Sequence, residues 1–318
     1  MVKGGCVLVA NMVKCPRMAE EPLEQNAQQR AYRAFKALTM GDDAAIDLAQ
    51  AALLIAMIEQ PDLDMSFYLD QLDAFARRVR FVLAFPATPE ETTPTLPEGI
   101  EPLRVLEVMN VILFEQEHFR GNLHDYYNPS NSFLNRVLES RTGIPITLSI
   151  LYIEVGRRVG LPLVGIGLPF HFMVGCPLSQ GGMLYIDPFE QGRFMDEQDC
   201  RSMVRRMAGR GRIRFQAEWL APVSNKQLLR RMLTNLKHSY LRSDSYALAL
   251  ATCDRLLLLA PVAPFEWRDR GIVHLQLKQY GKALHDLKTY IELAPQADDR
   301  DEIMRHIYHA RQMIAMLN

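Results

Sequence analysis

Apolar residues recur at helical spacing through the first third of the chain. Between residues 31 and 85 they form two runs, Ile46–Met57 and Phe67–Val79, and Pro61 lies between the runs. A period near 3.6 residues is typical of an amphipathic α-helix, and proline ends a helix. The pattern therefore predicts a helical region over 31–85, in which two helices pack as an antiparallel pair.

A stretch rich in proline and threonine, PATPEETTPTLPEG, follows at 86–99 and has almost no apolar periodicity. It is predicted to be a linker or surface loop. Helical spacing returns over Leu103–Phe119, Asn131–Leu138 and Pro145–Val159. The last of these begins with proline, which the first turn of a helix tolerates, and Gly160 ends it.

Period-two and β-branched runs then replace the helical pattern. They occupy 162–169, 171–175, 183–187 and 212–216, and glycine-rich turns separate the first three. Such runs predict short strands of an antiparallel sheet that packs against the preceding helix. We therefore predict an α+β core over 100–221.

The C-terminal third, 222–318, repeats itself with a period of 34 residues. That period is characteristic of tetratricopeptide repeats, which are pairs of helices. A stacked array needs its neighbours to bury its apolar faces, so we predict two repeats and a capping helix over Asp301–Leu317. The matched positions are Tyr246, Ala249, Leu250, Leu259, Ala260 and Pro261, with Tyr280, Ala283, Leu284, Leu293, Ala294 and Pro295.

The composition is that of a globular protein with two or three packed units, at 318 residues with 48% hydrophobic and 23% charged positions. A formal net charge of −1 argues against a general nucleic-acid binder. We interpret one local basic strip as solvated surface or a partner contact. The strip consists of Arg201, Arg205, Arg206, Arg210 and Arg212.

The cysteines and the first residues of the chain bear on the cellular compartment of the protein. No CxxC pair is present, which argues against a disulfide framework and favours a reducing cytoplasm. Residues 1–30 are interpreted as a flexible extension, because Asn11 and Lys14 interrupt the apolar start. The apolar run from Ala51 is too short to cross a bilayer, so no membrane segment is predicted. The five cysteines are Cys6, Cys15, Cys176, Cys200 and Cys253.

Three positions have the order of a cysteine, histidine and aspartate hydrolase. His171 opens a predicted strand, Asp187 closes another, and the preceding helix begins at Pro145 where such enzymes place cysteine. A thiol at a helix start beside an imidazole is acidic and nucleophilic, whereas proline has no nucleophile. The alternative is that His171 and Asp187 form a buried pair that only fixes the sheet.

Other nucleophiles, metals and cofactors have weaker support. Thr147 and Ser149 lie within about one turn after Pro145 and are the alternative nucleophiles. Cys176 is five residues beyond His171, an odd separation that places the two side chains on opposite faces of a strand. Histidine spacing predicts no metal site, and no glycine-rich turn predicts a phosphate cradle, so no cofactor is expected.

The stretches at 119–174, with GIPITLS and LPFHFMV, and at 185–192, YIDPFEQG, resemble the SirB family of bacterial proteins. The similarity covers nearly all of 30–318. This resemblance implies a transglutaminase-like, papain-like α+β core followed by tetratricopeptide repeats. It aligns the GxC motif of transglutaminase-like enzymes on Gly143-Ile144-Pro145, with the triad histidine on His171 and the aspartate on Asp187.

The resemblance and the missing cysteine favour a cytoplasmic scaffold or regulatory protein, a transglutaminase-like pseudoenzyme that binds a protein or peptide. We expect His171, Asp187, Asn135 and Arg141 to contribute to partner binding. The alternative is a hydrolase, a protease or amidase, that uses a non-cysteine nucleophile with His171 and Asp187.

Overall fold

The computed structural model describes residues 21–85, 95–178, 180–209 and 213–317, with side chains from residue 27 onwards. The helices are α1 (Glu21–Thr39), α2 (Leu48–Ala56), α3 (Met65–Val82), α4 (Pro102–Asn110), α5 (Leu134–Ser140), α6 (Pro145–Val159), α7 (Glu197–Ala208), α8 (Asn225–Arg242), α9 (Tyr246–Leu259), α10 (Pro264–Gln276), α11 (Tyr280–Leu293) and α12 (Arg300–Leu317). The strands are β1 (Arg120–Gly121), β2 (Thr142–Gly143), β3 (Val164–Ile166), β4 (Met173–Pro177), β5 (Met183–Asp187), β6 (Arg193–Met195) and β7 (Pro222–Val223).

The N-terminal helices belong to the core. Every residue of α2 except Gln50 is buried, and Asp47 caps the helix by accepting a hydrogen bond from the Gln50 amide at 2.9 Å. Helix α1 already begins at Glu21, so the expected extension over 1–30 is corrected: residues 21–30 are helical. The reason is burial, because Ala27 and Ala31 form part of an apolar face of α1, which packs on α2 and α9. Residues 1–20, and 86–94 of the expected linker, lie outside the described residues.

The predicted helix Leu103–Phe119 is α4 followed by a π-helical segment, Val111–Gln116. The predicted helix over 131–138 is a 3₁₀ turn, Pro129–Ser132, followed by α5. Helix α6 has the predicted bounds and is buried almost throughout. Gly160 ends α6 with a φ of 108°, and a Cβ there would meet the backbone of Thr95 at 2.6 Å, so the position requires glycine.

Five strands form one antiparallel sheet in the order β6-β5-β4-β3-β7. Phe172 and Val174 face the core that contains α6, and Met173 and Tyr185 face the smaller apolar cluster that contains α7. The expected strand over 212–216 is corrected, because 213–216 have no regular structure and β7 fills the sheet edge instead.

The C-terminal helices confirm the 34-residue repeat. Helices α9 and α11 begin and end 34 residues apart, and the residues after them, Ala260 and Ala294, share an unusual backbone (φ −143°, ψ 67° and φ −135°, ψ 66°). Ala249 and Ala283 are both fully buried, which lets neighbouring helices approach closely. The tyrosines and leucines that flank these alanines in the repeat are half-buried in both copies.

One apolar core joins most of these elements. It contains buried side chains from Ala31 in α1 to Val273 in α10, including those of α2, α6 and α8. A second cluster lies between the sheet and α7, and a third holds α11 and α12 together. The helical region, the α+β core and the first repeat therefore share one interior.

Candidate functional site

His171 and Asp187 form a buried hydrogen-bonded pair. His171 lies two residues before β4, and Asp187 is the last residue of the neighbouring strand β5. The ring Nε2 is 2.9 Å from Asp187 Oδ2, and the two side chains are 3% and 0% exposed. A carboxylate in this position fixes the orientation of an imidazole, as it does in a catalytic triad.

The turn after β5 holds Asp187 in place. Its Oδ1 accepts hydrogen bonds from the amides of Phe189 at 3.1 Å and Glu190 at 3.4 Å. Proline is the first residue of this 3₁₀ turn, Pro188–Glu190, and its fixed φ suits that position. Both carboxylate oxygens are thus bonded, one to the turn and one to His171.

Phe189 connects the pair to the start of α6. Its ring lies edge-on to His171, with centroids 6.0 Å apart. On its other side the ring packs over Gly121 of β1, where a Cβ would lie 2.5 Å from the ring. Strand β1 pairs in parallel with β2, which ends two residues before α6 begins. The site therefore runs from the imidazole through Phe189 to the strand that leads into the helix.

Pro145 is the first residue of α6 and is buried. Its side chain offers no nucleophile. Burial raises the pKa of Cys176 to about 11, and burial followed by nearby aspartates raises that of Cys200 to about 12. Burial also raises the pKa of Cys253 to about 12. No cysteine that the structure describes is an activated thiol; Cys6 and Cys15 lie outside its ranges.

The alternative nucleophiles are both fully buried. Thr147 Oγ1 donates to the Asn131 carbonyl at 2.7 Å and accepts from the Ile144 amide at 3.2 Å, so its hydroxyl caps α6. Ser149 Oγ is buried and has no hydrogen-bond partner among the described residues, so none of them places a base within hydrogen-bonding distance of it. These environments are those of a capping group and a packed core residue.

Asn135 and Arg141, the two other residues expected to contribute to partner binding, make contacts within the fold. Asn135 is fully buried, and its side-chain amide donates to Gln60 Oε1 at 2.5 Å. Arg141 ends α5 with a φ of 58°, pairs with Glu117 at 2.9 Å and lies 4.7 Å above the centre of the Phe119 ring.

Arg231 of α8 is a site residue that the sequence did not indicate. Its Nη2 donates to the His171 carbonyl at 3.0 Å, and its guanidinium lies 5.8 Å from the centre of the Phe172 ring. Burial lowers the pKa of Arg231, and Tyr126 partly opposes that effect. Since 60 residues separate Arg231 from His171, no local spacing could have revealed the contact.

Phe170, directly before His171, has a strained backbone and an exposed ring. Its φ is 65°, and its side chain is 59% exposed. A bulky residue in the left-handed region costs free energy, and such strain often accompanies functional sites. Tyr126 and Tyr127, which lead from Phe189 to the surface, are also partly exposed.

The described residues offer neither a metal-binding cluster nor a membrane-spanning helix. No group of three or more histidine, cysteine, aspartate or glutamate side chains there is arranged to hold a metal ion. Within the same residues, no helix has the length and apolar character that a membrane crossing requires.

Comparisons with known proteins agree with this architecture. The family model of the transglutaminase-like superfamily matches residues 66–234, and a tetratricopeptide-repeat model matches 236–307. No solved structure matches the chain.

Similar proteins occur in bacteria and in animals. A UPF0162 protein of Xylella fastidiosa is 37% identical over 84% of this chain and 90% of its own length. Protein SirB1 of Salmonella typhimurium is 28% identical over 63% of this chain and 73% of its own, which confirms the SirB resemblance. Human F-box only protein 21 is 33% identical over 50% of this chain and 26% of its own length. The chain therefore belongs to the transglutaminase-like superfamily, in which the UPF0162 proteins are its relatives.

Proposed function

We propose that this protein is a cytoplasmic regulatory or scaffolding pseudoenzyme, which uses its transglutaminase-like unit and helical repeats to bind a protein or peptide partner. A transglutaminase-like domain joined to tetratricopeptide repeats fits a regulatory or protein-interaction role. The observation that carries the loss of catalysis is Pro145 at the start of α6, in a fold that keeps a His171 and Asp187 pair at 2.9 Å. The frame of a triad is kept, and its nucleophile is not.

The buried state of the pair defines its part in this proposal. His171, Asp187 and Asn135 are each at most 3% exposed, so they support the binding surface from below. Exposed residues beside them, such as Phe170 and Tyr127, would meet the partner. The free, buried cysteines Cys176, Cys200 and Cys253 are consistent with a reducing compartment.

The hydrolase alternative has less support from the geometry. A hydroxyl acts as a nucleophile when a base accepts its proton within about 3 Å. Thr147 is instead bonded to the backbone around the helix start, and Ser149 has no hydrogen-bond partner in the part of the chain that the structure describes. No observation on either residue favours a hydroxyl-dependent reaction.

Restoring a thiol tests the pseudoenzyme directly. In a Pro145→Cys variant, a preserved frame should give a thiol that reacts with iodoacetamide below about pH 7, because a helix start and an imidazole both favour thiolate. Adding His171→Ala to that variant should move the reaction towards pH 8.5, roughly the value of a free cysteine. Pro145→Ala is the control for the loss of proline itself.

Two outcomes would contradict the proposal. An ordinary thiol titration in Pro145→Cys, unchanged by His171→Ala, would show that no catalytic frame is present. Turnover by the unmutated protein that stops on alkylation of its thiols would show that it is an enzyme. A pull-down with wild type and His171→Ala then separates the roles: loss of a specific partner supports binding, and loss of a reaction product supports catalysis.

A further inference from the structure

A pocket of about 480 Å³ lies where α8 passes the edge strand of the sheet. Phe172 and Val223 form an apolar wall, and Gly167 leaves the pocket open because it has no side chain. Across from them, α8 contributes Arg231 and Asn235. The pocket adjoins the candidate site, since Arg231 also holds the His171 carbonyl.

The arginines of this pocket have no carboxylate partner among the described residues. Arg231 is bonded to a neutral carbonyl and lies near an aromatic ring, and Arg230 forms no ion pair with any described residue. The comparably shielded Arg158 and Arg270 elsewhere in the fold pair with Glu154 at 2.5 Å and Asp286 at 2.6 Å. A partly buried guanidinium without a counter-charge can bind an anion by donating hydrogen bonds to it.

The shape and chemistry of the pocket define its ligand. A planar carboxylate matches the forked donors of a guanidinium. The Phe172 and Val223 wall would cover an apolar side chain beside that carboxylate, and the Asn235 amide can bond to a peptide group. A volume of about 480 Å³ holds a short peptide segment and not a folded surface.

We propose that this pocket binds an acidic peptide segment, with a glutamate or aspartate carboxylate on Arg231 and an apolar neighbour against Phe172. The inference rests on the proposed function, because it names the chemistry of the partner that the pseudoenzyme would bind. Binding here would also act on the His171 region, since Arg231 joins the ligand to the His171 carbonyl.

The test uses full-length protein and two pools of hexapeptides that are amidated at the C-terminus. Each peptide carries fluorescein at its N-terminus, and the unlabelled competitor peptides are acetylated there instead. One pool has a glutamate flanked by phenylalanine and leucine in every order, and the second has glutamine instead. Fluorescence anisotropy should show the acidic pool binding at least about tenfold more tightly, the ratio expected for one charge-assisted pair. Arg231→Gln should remove this preference, and Arg231→Lys should keep part of it.

Further variants guard against loss of folding. Arg230→Gln, at an exposed position on the rim, should weaken binding of the acidic pool severalfold without altering thermal melting. Arg305→Gln, exposed on α12, is the matched control and should bind like wild type. Each variant is compared with wild type by circular dichroism before binding is measured.

Three results would overturn the proposal: equal binding of the acidic and amide pools, no binding of either pool, or displacement of the peptide by inorganic phosphate at the same concentration as by unlabelled peptide. The last result would identify a site for small anions. Failure here is distinguishable from failure of the proposed function, because the Pro145→Cys thiol would still titrate in a His171-dependent way.

Discussion

Lys237 and Gly271 occupy the same position in successive repeats, 34 residues apart, and tie neighbouring helices together in opposite ways. Lys237 of α8 extends a buried ammonium to α10, where it bonds Glu266 at 2.7 Å and Asp269 at 2.6 Å. Gly271 of α10 has no side chain, so Leu287 of α11 packs against its backbone. The contact between α8 and α10 is therefore ionic, and the contact between α10 and α11 is close and apolar.

Gly271→Ala should destabilise the protein, whereas Gly281→Ala should not. A Cβ at Gly271 would lie 2.7 Å from Leu287 Cδ2, and overpacking of that kind costs about 1–3 kcal/mol. At Gly281, in the first turn of α11, nothing lies within 4 Å of the added Cβ, so alanine should be neutral or stabilise by up to about 1 kcal/mol. Urea unfolding of both variants checks the difference. Equal effects would mean that α10 and α11 are not packed this closely.

Lys237→Ala should lower the free energy of unfolding by about 3–5 kcal/mol, because it leaves the buried Glu266 carboxylate without a counter-charge. Burial opposes the charge on Lys237, but Asp269 and Glu266 outweigh it and raise the pKa of the ammonium. Converting the cluster to Lys237→Met with Glu266→Gln and Asp269→Asn should recover part of the loss. Arg201→Ala, which breaks an exposed pair with Glu197, is the control and should cost at most about 1 kcal/mol. A small effect of Lys237→Ala would show that the ammonium reaches water.

Substitutions at the two hydroxyls should affect stability differently. Thr147→Val leaves the Ile144 amide and the Asn131 carbonyl without their partner, which costs about 1–3 kcal/mol. Ser149→Ala removes a buried hydroxyl with no partner, so we expect it to be neutral or to stabilise by up to about 1 kcal/mol. Chemical denaturation measures both. Loss of a biological activity in Ser149→Ala at unchanged stability would instead support the hydrolase alternative.

Acidification should destabilise the repeats through His274. Burial lowers its pKa below the ordinary 6.5, although Asp286, 3.7 Å away, acts in the other direction. The unfolded chain then binds the proton more readily than the folded protein does. The contribution of His274 to the free energy of unfolding is therefore fully present above pH 6.5, and it is lost as pH falls towards the pKa of the folded state. His274→Gln should therefore lose less stability than wild type between about pH 7.5 and 5.5. Parallel curves for the two proteins would contradict this assignment.

Local sequence patterns predicted much of the fold, because most helices and strands are marked by residues within the element or at its ends. Helix α6 begins at a proline and ends at a glycine, and β5 is a short apolar run over 183–187 that follows a glycine-rich turn, so the bounds of both were predicted correctly. Helix α7 was missed although its signals are local. Asp196 and Asp199 form a capping box, and Cys200, Met203 and Val204 make a short apolar stripe. The arginines of that segment hid the stripe, because they suggested only a charged surface.

Local sequence patterns predicted only part of the candidate site. The spacing of His171 and Asp187, together with the family resemblance, predicted their pairing, since neighbouring strands bring such residues together. The contacts of Phe189 with Gly121 and of Arg231 with His171 join segments 60 or more residues apart. Such contacts depend on how α8 and β1 dock on the sheet, which no spacing within one segment specifies.

Helix α8 has a consequence for how this architecture can vary. The two family models meet inside it, at residues 234 and 236, and its buried leucines complete the core around α2 and α6 while its Lys237 joins α10. The same helix therefore completes the core of the transglutaminase-like unit and is the first helix of the repeat array. A repeat inserted before α8 would displace those leucines from the shared core, whereas a repeat added after α11 would leave that core unchanged.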